Sequence, residues 1–251
     1  MSKSETLTSN IKRQKKILNN LSNPNHLFEI GVDECARGPM FGRLYISAVI
    51  LNSEFDHTKM CDSKKIHSIS KMRLLSDYIK EHSTVWHIEY IEADIIDEIN
   101  IRQAVLLGMR TAIKKVLELL CEKYPEYISK IEKGFIMIDG NDFSEFSWND
   151  IIVPHETFEK GDARFSNIAA ASILSKCAHD EYILELCVKY PELNDKYDLT
   201  NNMGYGTKKH MDGIKQFGIS QWHRRTFGCC KTAIINSILD DINSKILKWE
   251  E

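Results

Sequence analysis

The sequence predicts a mixed α/β protein that ends in a helical part, and three observations carry that reading. Short apolar runs closed by turn residues, such as Leu27-Phe28-Glu29-Ile30-Gly31-Val32 and Phe135-Ile136-Met137-Ile138, have the length and composition of buried strands. Longer stretches with apolar residues at helical spacing lie between them, the alternation expected of an α/β body. After Tyr190-Pro191 the chain turns polar and strand signals become sparse.

Taken in order, residues 6–21 read as a basic helix, with Lys12, Arg13, Lys15 and Lys16 forming a solvated face. Residues 27–33 and 43–51 read as strands joined by a Gly/Pro turn, a hairpin-like start. Ser70 is placed to cap a helix over 71–81. A strand follows at about 84–91, then helices over 93–99 and 101–122. In the second of these Ala104, Leu107, Gly108, Ala112 and Val116 recur at helical spacing. Strands are expected at 134–138 and at about 150–153. The segment from Ser166 to Leu186 is strongly helical. Its run Ile168-Ala169-Ala170-Ala171-Ser172-Ile173-Leu174 is small enough for the helix to lie close against a sheet. Pro191 marks a break, and helices are expected near 207–217 and 229–248. No internal repeat or low-complexity linker is visible.

Composition narrows the function classes. The chain has 251 residues, 43% hydrophobic and 27% charged, which is ordinary for a globular protein with its own core. A net charge of −3 rules out binding nucleic acid by bulk charge, so any such binding must use a local patch. No apolar stretch approaches the ~20 residues of a membrane span, and Met1 to Asn10 lack a signal-peptide core. Seven cysteines at irregular spacing point to reduced thiols, hence a cytoplasmic protein. Cys229-Cys230 with His210 and His223 fit no standard zinc spacing.

The chemistry sits at strand ends. Asp33 and Glu34 close the first apolar run, and Asp139-Gly140 closes the run at 135–138. Carboxylates held at the mouths of two rigid elements form an all-oxygen donor set, suited to Mg²⁺ or Mn²⁺. Asp162 precedes the long helix, either as its N-cap or as a further metal-site acid. Asp180, far down that helix, reads as a structural acid. Lys176, alone on an apolar helix, calls for an acid or a phosphate as partner. Lys64 and Lys65 lie in a loop where they are either solvated or clamp phosphates. In Gly204-Tyr205-Gly206-Thr207-Lys208-Lys209 the glycines leave an aromatic accessible for stacking on a sugar or base. Thr207 is placed to cap the next helix and to meet a phosphate there. From Gly204 to Lys231, Lys208, Lys209, Lys215, Arg224, Arg225 and Lys231 stand against Asp212 alone, a basic patch on an acidic chain. Acids for metal, bases for phosphate and an aromatic for a sugar together indicate a phosphodiester-cleaving enzyme.

These blocks resemble type 2 ribonuclease H, the ribonuclease HII family, over roughly residues 27–228. The resemblance rests on Gly31-Val32-Asp33-Glu34 with Arg37-Gly38-Pro39, Asp62-Ser63-Lys64-Lys65 and Asn100-Ile101-Arg102-Gln103-Ala104. It continues through Ile138-Asp139-Gly140, Lys160-Gly161-Asp162-Ala163, the small-residue helix to Lys176, Gly204-Tyr205-Gly206-Thr207 and His223-Arg224-Arg225-Thr226-Phe227. It implies a ribonuclease H-like mixed sheet flanked by helices, with a C-terminal helical extension. The divisions expected are a basic helical segment at 1–26, a catalytic domain at 27–190 and a substrate-binding extension at 191–251.

The activity implied is metal-dependent endonucleolytic hydrolysis of the RNA strand of RNA–DNA hybrids, and nicking 5′ of ribonucleotides embedded in duplex DNA. The family acids fall on Asp33, Glu34, Asp139 and Asp162, with Mg²⁺ or Mn²⁺ as cofactor. Substrate contacts fall on Ala36, Arg37, Gly38, Lys64, Lys176, Tyr205, Thr207 and Lys208. No membrane is implied, and a monomer is expected. The chain departs from the family at Ala36, where the loop that reads the 2′-hydroxyl otherwise has glycine. Alanine there strains a backbone of positive φ, or its methyl intrudes on the ribose. The rival readings are a catalytically weak hybrid-binding protein and a hybrid ribonuclease with reduced junction preference.

Overall fold

The structure is a computed structural model that describes residues 23, 25–60, 66 and 68–236. The basic segment at 6–21, Lys64, Lys65 and the part of the 229–248 helix beyond 236 lie outside the described residues.

Strands β1 (Phe28–Cys35) and β2 (Leu44–Leu51) pair antiparallel, as the hairpin-like start requires. Helix α1 (Ile69–His82) leads into β3 (Ser83–Ile91), which pairs antiparallel with β2. Ser68, not Ser70, caps α1, its side chain accepting from the Lys71 N–H. Helices α2 (Ala93–Ile99) and α3 (Ile101–Lys123) follow, with the Asn100 side chain accepting from the N–H groups of Arg102 and Gln103 at the start of α3. Then come β4 (Gly134–Asp139), β5 (Phe146–Trp148), β6 (Ile151–Val153) and β7 (His155–Phe158). Helix α4 (Ser166–Lys189) is followed by α5 (Pro191–Tyr197), α6 (Leu199–Asn202) and α7 (Lys208–Phe217).

The main sheet has the order β3-β2-β1-β4-β7, with β1–β4 and β4–β7 parallel. The strand expected at 150–153 is β6, but it joins β5 in a separate two-stranded ribbon, and the sheet edge is β7 instead. Three-residue strands beside turn residues leave too short a pattern to tell ribbon from sheet. Pro191 ends α4 as expected and also starts α5, because proline suits the first helical turn. The helix expected from 229 is, over the described residues, a 3-10 turn at Gly228–Thr232.

Both faces of the sheet are covered. On β2, Leu44, Ile46, Ala48 and Ile50 face α3, while Val49 faces α1 and α4. Gly31 of β1 has no side chain for a reason of space: a Cβ there would overlap the backbone of Asn167 and Ile168 at the start of α4. A third cluster gathers the far half of α4 (Ile183, Cys187), α5 to α7 (Leu193, Tyr197, Leu199, Ile214) and the loop residues Met40 and Phe41. The helical part is thereby packed against the loop that leaves β1.

Candidate active site

The register of the two central parallel strands pairs Val32 with Ile138, so the next residues, Asp33 and Asp139, emerge side by side at the carboxyl ends of β1 and β4. Crevices at the carboxyl ends of parallel strands are where α/β sheets hold their ligands. Asp33 points to the α4 face and is buried, and its carboxylate accepts hydrogen bonds from Ser172 of α4 and from the Glu34 N–H at 2.8 Å. Glu34 follows on the opposite face, with Arg37 Nη1 3.7 Å from its carboxylate.

Asp139 Oδ1 accepts from the Gly161 N–H at 2.6 Å, which draws the 3-10 turn Gly161–Ala163 onto the end of β4. That turn carries Asp162, which is buried. The N-cap reading of Asp162 is not met: α4 starts at Ser166, its N-cap position is Phe165, and no side chain caps it.

Burial, then the charges of Glu34 and Asp139, push the Asp33 carboxyl well above its ordinary pKa, and the hydrogen bonds from Ser172 and the Glu34 N–H offset this only in part. A buried carboxylate crowded by two others is an arrangement that a divalent cation stabilises, because the ion's charge reverses the local repulsion. Among the described residues no three or more His, Cys, Asp or Glu side chains, these acids included, already converge as a metal-holding group. His210 and His223, the histidines of the zinc reading, are hydrogen-bonded to each other, their Nε2 atoms 3.1 Å apart. A cavity of about 530 Å³ lies at the other end of β1 beside Phe28, Glu29 and Tyr127, away from these acids.

The loop after β1 is held in an unusual shape. Ala36 has φ of 69° and is buried. Its methyl is enclosed, so strain and not steric intrusion is the consequence of alanine at this position. Arg224 is fully buried beneath this loop, donating from Nη2 to the Ala36 carbonyl (2.8 Å), from Nη1 to the Arg37 carbonyl (3.2 Å) and from Nε to the Gly42 carbonyl (3.0 Å). Tyr205 stands beside the loop: a Cβ on Gly38 would lie 3.6 Å from the tyrosine ring, which is 46% exposed at the residue level.

A chain of hydrogen bonds fixes the Tyr205 segment from below. The Ser220 N–H donates to His223 Nδ1 (3.0 Å), leaving His223 Nε2 to donate to His210 Nε2 (3.1 Å) and His210 Nδ1 to donate to the Tyr205 carbonyl (2.9 Å). Both imidazoles are neutral in this arrangement. Burial and the neighbouring His210 lower the pKa of His223 to about 3, and burial lowers that of His210. Thr207 caps α7 by accepting from the His210 N–H.

The basic residues divide. Lys208 is exposed and pairs with Asp212 at 3.0 Å, Lys209 lies 3.5 Å from Asp198, and Lys176 pairs with Asp180 at 2.7 Å. Burial opposes the Lys176 charge, but the hydrogen bond and charge of Asp180 outweigh it and hold the ammonium pKa above its ordinary value. Asp180 is also bonded to His179 at 3.0 Å, so it is a structural acid that aims Lys176. Arg224 and His223 do not belong to the basic patch, because both are buried. Arg224, counted there from the sequence, and its neighbour His223 are instead internal braces. The apolar neighbours Trp222 and Phe227 were the signal that this run turns inward. Ser172, hidden in a run that reads as helix packing, and Asp97, which accepts from the Arg225 and Thr226 N–H groups at 2.6 and 2.9 Å, also escaped the sequence reading.

Comparison with known proteins gives a consistent result. The family model described as Ribonuclease HII matches residues 30–230. The chain is similar to the ribonuclease HII of Oceanobacillus iheyensis, 36% identical over 205 residues that cover 82% of this chain and 69% of that protein. Its fold resembles that of ribonuclease H2 from Pyrococcus horikoshii OT3, with a TM-score of 0.61 at 20% identity over 82% of this chain and 96% of the other. It also resembles that of Bst-RNase HIII in complex with Mn²⁺, with a TM-score of 0.51 at 19% identity over 77% of this chain and 64% of the other.

Proposed function

The chain belongs to the ribonuclease HII family, and on that premise we propose how its residues divide the work of cleaving the RNA strand of an RNA–DNA hybrid. It is a divalent-metal-dependent endoribonuclease, a phosphodiester hydrolase. The reading in which it only binds hybrids has no support, since all four acids are present.

We infer that Asp33, Glu34, Asp139 and Asp162 hold Mg²⁺ or Mn²⁺. Mn²⁺ is the ion in the similar Bst-RNase HIII structure. When bound, such ions supply an activated water and stabilise the leaving oxygen. The observation that carries this assignment is the β1–β4 register, which sets Asp33 beside Asp139 on rigid backbone.

Lys176, aimed by Asp180, contacts a substrate phosphate, a role that the family resemblance also gives to Lys64. The N-terminus of α7, with Thr207 and Lys208, meets another phosphate. Tyr205 stacks on the sugar at the DNA side of an RNA–DNA step. Ala36, Arg37 and Gly38 approach the 2′-hydroxyl, the group that distinguishes RNA from DNA, so duplex DNA with an embedded ribonucleotide is also a substrate. Action as a monomer is part of the same proposal. Among the described residues no helix is long and apolar enough to cross a membrane.

The test is incubation with end-labelled hybrid and with a duplex holding a single ribonucleotide, each with Mg²⁺ or Mn²⁺. Metal-dependent cuts in the RNA strand, and 5′ of the ribonucleotide, are expected. Uncut hybrid with either ion contradicts the proposal.

A further inference from the structure

A fully buried arginine that pairs with backbone carbonyls is a costly arrangement. Charge withdrawn from water needs compensation, and a lysine in the same place could not satisfy several carbonyls at fixed angles. Arg224 finds three acceptors, the carbonyls of Ala36, Arg37 and Gly42, so its guanidinium fork spans both ends of the loop after β1. Its own N–H donates to the Met40 carbonyl at 2.8 Å, a fourth bond to the same loop. The next two residues are pinned from the other side. Asp97 of α2 accepts from the Arg225 and Thr226 N–H groups, and from Thr226 Oγ1 at 2.5 Å.

The segment at 223–226 is therefore anchored to α2 and grips the loop. What it grips is strained: Ala36 sits at φ of 69°, a conformation that costs an L-residue energy and that glycine adopts freely. Something must hold alanine there, and the Ala36 carbonyl is the group that Arg224 Nη2 holds. One step further along, His223 reaches the Tyr205 carbonyl through His210. Neighbouring residues of one segment thus fix both the loop at 36–38 and the tyrosine beside it.

We propose that Arg224 is a positioning residue for recognition of the ribonucleotide: its buried guanidinium locks the Ala36-Arg37-Gly38 loop in the left-handed shape that presents it to the 2′-hydroxyl. This rests on the assignment of that loop to the 2′-hydroxyl made above. Arg224 touches neither the acids nor the substrate, and it acts through the loop's backbone.

The experiment compares Arg224→Lys, Asp97→Asn and the double variant Arg224→Lys/Ala36→Gly with the unaltered protein. Steady-state rates are measured on a continuous hybrid and on a single-ribonucleotide duplex, with a thermal melt of each preparation. Misplacement of a contacting group by about 1 Å can cost ~10²-fold. Arg224→Lys is expected to lower kcat on the single-ribonucleotide duplex by roughly 10- to 100-fold and on the hybrid by clearly less. Adding Ala36→Gly is expected to recover part of that loss, because glycine holds the positive φ unaided. Asp97→Asn is expected to move the ratio of the two rates the same way by a smaller factor, and it decides the matter if Arg224→Lys does not fold. Equal losses on both substrates, or a loss that glycine does not relieve, overturn the proposal and leave Arg224 as a stability residue. If the unaltered protein cuts neither substrate, the functional reading itself has failed, a different result from an unchanged ratio in an active enzyme.

Discussion

The strand-end acids and the loops proposed for substrate recognition are positioned in opposite ways. Asp33 and Asp139 are fixed by the hydrogen-bond register of two parallel strands, so backbone topology alone sets them side by side. The loops at 36–38 and 204–207 have no such ladder. They are held by buried polar side chains, Arg224 under one and the His223–His210 pair under the other. The first arrangement resists local substitution and leaves a crowded, destabilised carboxylate. The second concentrates its stability in a few side chains, each of which controls a shape. On the proposed assignment, the metal-site acids are placed on the sheet, while discrimination between substrates falls to loops braced from within.

The largest effect expected from breaking this contrast is at Asp33. Its raised pKa means that the folded state binds more protons than the unfolded state, so Asp33 subtracts stability as pH rises above the ordinary carboxylate value. Asp33→Asn should therefore raise the Tm of the metal-free protein near pH 7 while lowering hybrid cleavage by at least about 10²-fold, since loss of even an outer partner of a metal site costs ~10–100-fold. Added Mg²⁺ should raise the Tm of the unaltered protein and do so less for the variant. Melting curves with EDTA and with Mg²⁺, beside a cleavage assay, check both halves, and a lower metal-free Tm for the variant would count against the crowding argument.

On the loop side the sign is reversed. His223, with a folded pKa of about 3, and His210, also lowered, are neutral when folded and protonated when unfolded below about pH 6.5. Their contribution is fully present above that pH and is lost as pH falls toward the folded values. Stability should drop on acidification from pH 7 to pH 5 with a slope of up to ~1.4 kcal/mol per pH unit for each histidine. Chemical denaturation across that range measures it. A His223→Gln/His210→Gln variant with the same slope would remove the pair from the account.

The smallest effect expected is from Ala36→Gly alone. Relief of the left-handed strain, ~1–2 kcal/mol, is partly cancelled by the greater freedom of glycine in the unfolded chain, ~0.4–1 kcal/mol. A net gain of between zero and about 1.6 kcal/mol by chemical denaturation is the outcome, and a loss of stability would mean that the enclosed methyl contributes more packing than strain.

The difference between the two regions also explains what could be read without a structure. The strands at 27–33, 43–51 and 134–138 and the long helix from Ser166 carry their own periodicity, and the acids that end two of the strands were visible as strand ends. The recognition side was legible only as chemistry types. Tyr205 between glycines read correctly as accessible, and Thr207 as a helix cap. Arg224 read as surface charge because its acceptors, the carbonyls of Ala36, Arg37 and Gly42, lie far away in sequence, and the bracing role of His223 was hidden because its partner, the ring of His210, carries no sequence signature. Ser172 was hidden for the same reason: its partner Asp33 comes from another element. The cap alternative for Asp162 fails because nothing local distinguishes the end of a 3-10 turn from the start of the helix three residues later.

The division of labour between sheet and loops is tested most directly by one assay, the initial rates of Asp139→Asn and Tyr205→Ala on a continuous hybrid and on a single-ribonucleotide duplex, side by side with Mg²⁺. Asp139→Asn should remove cleavage of both substrates alike while the fold is retained. Tyr205→Ala should slow the single-ribonucleotide duplex more than the hybrid. Retained activity in Asp139→Asn, or equal slowing of both substrates by Tyr205→Ala, would contradict it.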